Sequence, residues 1–219
     1  MGQFGIARMG VATVAVVGAL ALSACNGTTA PPVESPSASS AAPTSSAPAS
    51  PTPKPATSTS PAENLEPPVM PEEAKEFSAD GYEAFVEYWF EAHDYGMQSG
   101  DTTSLDDVSN EGCGFCLSRI DDIDGVNSGA QWVFGGELIA DDISASMVED
   151  DQGLYAATFT MRQVPGSVYS YDAAENEVTV VEEIVESERA LLFFAFYDES
   201  NGWDAAAVVE DSAVEEESS

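Results

Sequence analysis

The sequence predicts an α+β fold, with N-terminal helices packed on a curved antiparallel β-sheet, and three observations predict it. Apolar residues first recur at helical spacing and then alternate with a period of two, the change falling near residue 130. Helical signals that all precede the strand signals are the order of an α+β domain rather than of a parallel sheet with crossover helices. Turn-forming runs punctuate the second half at Asp151-Gln152-Gly153, Pro165-Gly166 and Asn201-Gly202.

The first helix is expected over residues 78–97. Tyr82, Phe85, Val86, Trp89, Phe90 and His93 recur there at three- and four-residue spacing and share one face. Ser78 supplies an N-cap, and Gly96 and Gly100 bracket the stop. A shorter second helix starts near Cys113, carries Cys116, Ile120 and Ile123 on one side, and ends by Gly125. Strands are expected over residues 132–147, 155–162, 178–185, 190–197 and 203–209. The unbroken apolar run 191–196 suits a central strand covered on both faces.

The chain before this domain has a different chemistry. Arg8 precedes an uninterrupted small and apolar run over residues 9–22, and Leu22-Ser23-Ala24-Cys25 follows. That layout is a secretory signal peptide over residues 1–24, too short to span a bilayer, which takes about 20 apolar residues. The final tetrapeptide resembles the lipobox of bacterial lipoproteins. The resemblance implies cleavage before Cys25, acylation of its sulfur, and a protein held by lipid on the extracytoplasmic side of the cell membrane. Two acyl chains make a firm anchor, whereas one binds only marginally.

Residues 25–70 read as the lipidated cysteine followed by a disordered linker. Twelve of the thirteen prolines lie between Pro31 and Pro71, amid Ser, Thr and Ala. Such a segment has too little apolar side chain to offset the entropy of ordering it. As a flexible coil it would reach on the order of 40 Å, and as polyproline about 140 Å. Residues 71–211 then form a single domain, and 212–219 an acidic disordered tail.

The chain carries a formal charge of −33, and from Pro71 onward only Lys75, Arg119, Arg162 and Arg189 offset 36 acids. Such a surface repels nucleic acid and anionic lipid headgroups. It suits solubility outside the cell, with cationic partners or divalent ions of the envelope as the remaining reading.

Cys113-Gly114-Phe115-Cys116 is the sharpest local motif. Once Cys25 is acylated these are the two thiols left, in a compartment that permits disulfides. The simpler reading is a structural bridge at the start of the second helix. The alternative is an extracytoplasmic thiol-disulfide oxidoreductase with Cys113 at a helix N-terminus. A redox motif of that type follows a buried strand, but residues 106–112 are polar and loop-like. A metal site is not expected, because Cys113, Cys116 and His93 supply at most three ligands and structural zinc takes four.

The lipobox and linker, Tyr88-Trp89-Phe90, the Cys-Gly-Phe-Cys motif and Trp132-Val133-Phe134-Gly135-Gly136 together resemble an actinobacterial lipoprotein family of unknown function. The element order also resembles the cone fold of nuclear transport factor 2 and its SnoaL-like relatives. A cone implies a mouth, and Tyr82, Trp89, His93 and Trp132 are the candidates to line a pocket there. The bland reading is that these aromatic residues, with Phe85, Phe90, Phe134 and Trp203, fill the core. His93 is the sole histidine, with no nucleophile recognised beside it, so no catalytic residue is assigned. Asp121-Asp122-Ile123-Asp124-Gly125 fails as a calcium loop, since the glycine comes too early and Val133 stands where the bidentate acid belongs. No cofactor is expected. The function expected is that of a membrane-anchored, non-catalytic binding module whose partner is an envelope protein or a small ligand.

Overall fold

The computed structural model describes residues 51–211. Residues 1–50, which hold the expected signal peptide and Cys25, and residues 212–219, the expected acidic tail, lie outside the described residues. A 3₁₀ turn (Glu73–Lys75) precedes α1 (Ala79–Ser99), α2 (Thr103–Asp106) and α3 (Gly114–Asn127). Seven strands follow: β1 (Gln131–Gly135), β2 (Leu138–Ser146), β3 (Tyr155–Gln163), β4 (Gly166–Asp172), β5 (Glu177–Ile184), β6 (Ser187–Asp198) and β7 (Gly202–Glu210). The fold class is α+β, helices first and antiparallel strands afterwards, as the change of period predicts.

The first helix begins and ends on the residues that its sequence marks. Ser78 is extended, and its hydroxyl accepts the Gly81 N–H at 3.0 Å, satisfying one of the donors that a helix start leaves unpaired. Gly100 closes the helix at φ 76°, the left-handed conformation that glycine adopts without a Cβ penalty. At the start of α3, Cys113 takes the capping place and its sulfur accepts the Cys116 N–H at 3.1 Å. The short α2 ends where the stretch that reads as polar loop begins, and its Leu105 is fully buried.

Hydrogen bonding divides the strands into β1-β4-β5 and β2-β3-β6-β7, yet the register shows one bent sheet. From the Gly135–Gly166 pair to the Leu138–Gln163 pair, one chain advances three residues while the other retreats three. The same step joins Gly166–Ile184 to Gln163–Ser187. So β1 runs into β2, β3 into β4 and β5 into β6 without a change of partner, and the ladder opens only at the crease. The Val164 N–H still donates to the Glu137 carbonyl there.

Glycine makes the crease. Gly135 and Gly136 lie at φ 74° and 80°, and a Cβ on Gly166 would meet the Gly136 nitrogen at 2.4 Å. The single strand expected over residues 132–147 is therefore a strand folded at its Gly-Gly pair. Pro165-Gly166 is likewise a bend within a continuing strand and not a hairpin turn, which is why the sequence reading omits β4. Proline lacks the ladder donor and suits such a break.

Helix α1 lies on the β2-β3-β6-β7 half. Its Tyr82, Phe85, Val86 and Trp89 are wholly buried and share one core with Ala157, Phe159, Phe193, Ala195, Trp203 and Ala205. Trp203 stacks on Tyr82 with centroids 4.4 Å apart, and Phe193 meets Phe85 and Trp89 edge-on. Burying each such side chain stabilises the fold by about 1.5–3 kcal/mol. The apolar run 191–196 is a central strand as its composition suggests, and it is covered on both faces only where it begins. Leu191 and Leu192 are both buried, but further along Phe193 and Ala195 are buried while Phe194 is half-buried and Phe196 exposed.

Three sheet edges are managed differently. On β2, the Ala145 and Leu138 N–H groups donate to the Glu83 and Asp94 carboxylates of α1, at 3.0 and 3.2 Å. On β7, residues 108–110 run alongside: the Ala205 N–H donates to the Val108 carbonyl and the Asn110 N–H to the Ala205 carbonyl. On β5, exposed Glu182 and Glu183 sit beside exposed Val180 and Val181, and charge of this kind discourages edge-to-edge pairing.

Part of the stretch that reads as linker is built onto this domain. Residues 54–63 double back, with Lys54 and Glu63 exchanging backbone hydrogen bonds and the Thr57 N–H donating to the Ser60 carbonyl at 2.9 Å. Ala56 is 6% exposed. The indole of Trp132 donates to the Thr57 carbonyl at 2.7 Å. Composition hides this, because what holds the loop is a tryptophan some 75 residues away.

Candidate functional site

The structure brings Tyr82, Trp89 and His93 together, but as core and not as the wall of an opening. Tyr82 and Trp89 are fully buried and His93 is 4% exposed. The Tyr82 hydroxyl lies 2.8 Å from the Phe193 carbonyl and 3.0 Å from that of Tyr155, one proton serving two acceptors. Burial pushes this phenol well above its ordinary range, so it stays a neutral donor. The His93 ring stacks on Trp89 at 13°, and its Nδ1 is 3.0 Å from the Asp94 carboxylate, which also accepts from the backbone of β2. That histidine is a packed and partnered side chain. The concavity in which a cone-fold pocket is expected is filled by these residues.

Trp132 stands apart from them. It pairs across the strands with Tyr169, rings 5.7 Å apart and nearly parallel, on the face of the β1-β4 half that the 54–63 loop covers. Phe134 is 47% exposed and joins neither cluster. The aromatic set thus separates into a main core, an isolated Trp132 and a surface phenylalanine.

An opening lies elsewhere among the described residues, between the β6–β7 hairpin and residues 107–111. It is a cleft of about 810 Å³. Tyr88, Phe196 and Trp203 contribute its aromatic surface, and Asp107, Glu111, Asp198 and Asp204 its carboxylates. Lys75 also lines it, held 2.6 Å from Glu72.

Local chemistry sets each wall. Asp198 accepts the Ser200 and Asn201 N–H groups with one carboxylate oxygen, at 2.8 and 3.1 Å, and Gly202 completes the hairpin at φ 82°. The Asn201-Gly202 pair therefore marks the hairpin, with glycine alone in the left-handed conformation. Opposite, the Asn110 amide donates to Asp204 at 2.7 Å while its backbone joins β7. The Ser109 hydroxyl accepts from the Trp89 indole at 3.0 Å, tying this wall to the core.

The wall then enters the disulfide. Cys113 and Cys116 are bonded, with Cα atoms 5.2 Å apart, and both are wholly buried. Phe115 packs near Trp89 between them, centroids 5.8 Å apart. The bridge fixes the residue at which the cleft loop becomes a helix. Sequence reasoning finds this bridge and the hairpin, but it misses Tyr88, Asn110, Phe196, Asp198 and Asp204. The available signal was their position beside those two motifs, since nothing in their own spacing marks them.

Among the described residues no group of three or more His, Cys, Asp or Glu side chains is placed to hold a metal ion. The acids of 121–124 lie on α3, where Asp122 pairs with Arg119 at 2.7 Å and all three aspartates face solvent. No helix among the described residues is long and apolar enough to cross a membrane.

No curated protein matches the chain. The description "Family of unknown function (DUF6318)" matches residues 51–208, a span that includes the 54–63 loop, the disulfide and all but the last residues of the sheet. On that match, which covers most of the chain, the protein belongs to DUF6318, a family of unknown function.

Proposed function

We propose that this protein is a lipid-anchored envelope protein whose domain works by binding rather than by turnover, and that the cleft between residues 107–111 and the β6–β7 hairpin takes a positively charged ligand. The cleft carries the reading. Four carboxylates stand around a partly aromatic floor, on backbone held by the β7 pairing and the disulfide. A cation entering there meets carboxylates directly, and they attract it.

The anchor rests on the lipobox at Cys25. Incorporation of labelled palmitate that is lost in Cys25→Ser is the expected result, and retained label would overturn it. Within the wider relationship, we place the domain near the cone folds of nuclear transport factor 2 relatives, supported by one long helix on a sheet bent across its middle.

The oxidoreductase reading draws no support from the cysteines' surroundings. Thiol-disulfide exchange needs a thiolate to reach a sulfur, and both residues are wholly buried.

Titration calorimetry of the full chain in detergent with hexalysine tests the cleft. Saturable binding should weaken about tenfold in Asp198→Asn/Asp204→Asn and stay unchanged in Asp121→Asn/Asp124→Asn, which removes equal charge elsewhere. Equal losses in the two variants would mean attraction to the overall charge, and would overturn the site.

A further inference from the structure

A second groove differs from the cleft in kind. It lies beside Trp132, between the turn at residues 59–61, the end of α3 and the outer face of β1 and β4, and measures about 410 Å³. None of its nine lining residues carries a carboxylate, ammonium, guanidinium or imidazole group. In a chain with 39 acids and a formal charge of −33, a groove without one is a local exception that a charged ligand would not call for.

What lines it is aromatic, amide and hydroxyl. Trp132 forms the floor, almost wholly buried, and Tyr171 stands at the rim 41% exposed. The Tyr171 ring is steadied by a hydrogen bond from its hydroxyl to Asn176 at 3.0 Å. Around them are Asn127 at the end of α3 and the Thr59 and Ser60 hydroxyls. Asn127 spends one amide hydrogen on the Ile123 carbonyl at 2.9 Å, which leaves its oxygen as an acceptor.

We infer that this groove is a binding site for a neutral carbohydrate. A sugar ring offers an apolar C–H face and a rim of hydroxyls that both donate and accept. The first suits the exposed face of Tyr171 and the edge of Trp132. The second suits amides and hydroxyls, which also donate and accept. Neither demands a charge, and an uncharged ligand avoids the cost of desolvating an ion. The groove is also held open from within, because the Trp132 indole pins the 57–61 turn through the Thr57 carbonyl and Ser60 turns back onto Thr57 Oγ1 at 3.0 Å. An organised aromatic rim with a few placed polar groups is how small-molecule sites obtain orientation and specificity.

The test uses the full chain in detergent and four neutral tetrasaccharides: β-1,4-linked N-acetylglucosamine, β-1,4-linked glucose, α-1,4-linked glucose and β-1,4-linked mannose. Binding is read by the quenching or shift of tryptophan fluorescence and by calorimetry. At least one probe should saturate below about 10 mM, with an affinity indifferent to salt, since no ion pair forms. Tyr171→Ala should weaken it about tenfold and Thr59→Val about fivefold, on the scale of an aromatic anchor and of one hydrogen-bonding group. Asp198→Asn/Asp204→Asn should leave it unchanged, which separates this groove from the cationic cleft. Four probes that fail to saturate would overturn the inference, as would binding that survives Tyr171→Ala in a variant whose circular dichroism matches the parent.

Discussion

The cleft beside Trp203 and the groove beside Trp132 each rest on a nearly buried tryptophan whose indole donates to a carbonyl from the chain that precedes α1. Trp203 donates to Glu76 at 3.0 Å and Trp132 to Thr57 at 2.7 Å. Their rims differ completely. One carries four carboxylates and a lysine, the other no charge at all. The lesson is that the net charge of this protein describes its surface on average and not its openings. Each opening takes its chemistry from the few side chains that the turns present there.

They also differ in what would survive the loss of a wall. Trp203 belongs to the main core and touches Phe77, Tyr82, Tyr155 and Tyr197 by ring contacts. Trp132 has Tyr169 as its one such ring partner among the described residues. The largest expected effect is therefore local to the groove. Trp132→Ala should cost about 3–5 kcal/mol, the range for deleting a buried aromatic side chain. The 54–63 loop should lose its protection from hydrogen exchange while α1 keeps its own. Equal loss of protection in α1 would show that the two regions are one cooperative unit and break the comparison.

The disulfide offers a smaller effect on the other side. Replacing both cysteines, as Cys113→Ala/Cys116→Ala, should lower stability by about 2 kcal/mol in a urea titration, because a four-residue ring restricts the unfolded chain only slightly. Hexalysine affinity in the cleft should fall with it, whereas binding beside Trp132 should not. Unaltered hexalysine affinity would show that the β7 pairing alone holds the cleft loop.

Local elements were legible in the sequence for local reasons. Ser78 and Gly100 mark the ends of α1 because capping depends on one residue and its immediate neighbours. Cys113 and Cys116 mark their bridge because two thiols a helical turn apart have few alternatives. The alternation in 155–162 marks β3 because one face of that strand is buried. Beyond that range legibility fell. Gly135-Gly136 and Pro165-Gly166 look like turns singly, and only their approach to each other across the sheet makes them a crease. The linker reading extended through residues 54–63 because Pro, Ser and Thr say nothing of a distant indole that accepts them as a cover.

The candidate site divides along the same line. Periodicity identifies the face of α1 that holds Tyr82, Trp89 and His93, but whether that face lines a cavity depends on what the sheet places opposite. Phe193, Ala195 and Trp203 stand there, and they fill the space.

Composition and spacing thus determined the α+β class, the caps of α1, the cysteine pair and the acidic character of the chain, all properties carried by neighbours in sequence. The tertiary structure alone decided that the sheet folds at its glycines, that the expected pocket is packed, and that two other openings of opposite character exist. An opening is a relation among side chains far apart in the chain. Asn110 meets Asp204, and Thr57 meets Trp132, only once the sheet has closed over α1 and the loop has settled on its outer face.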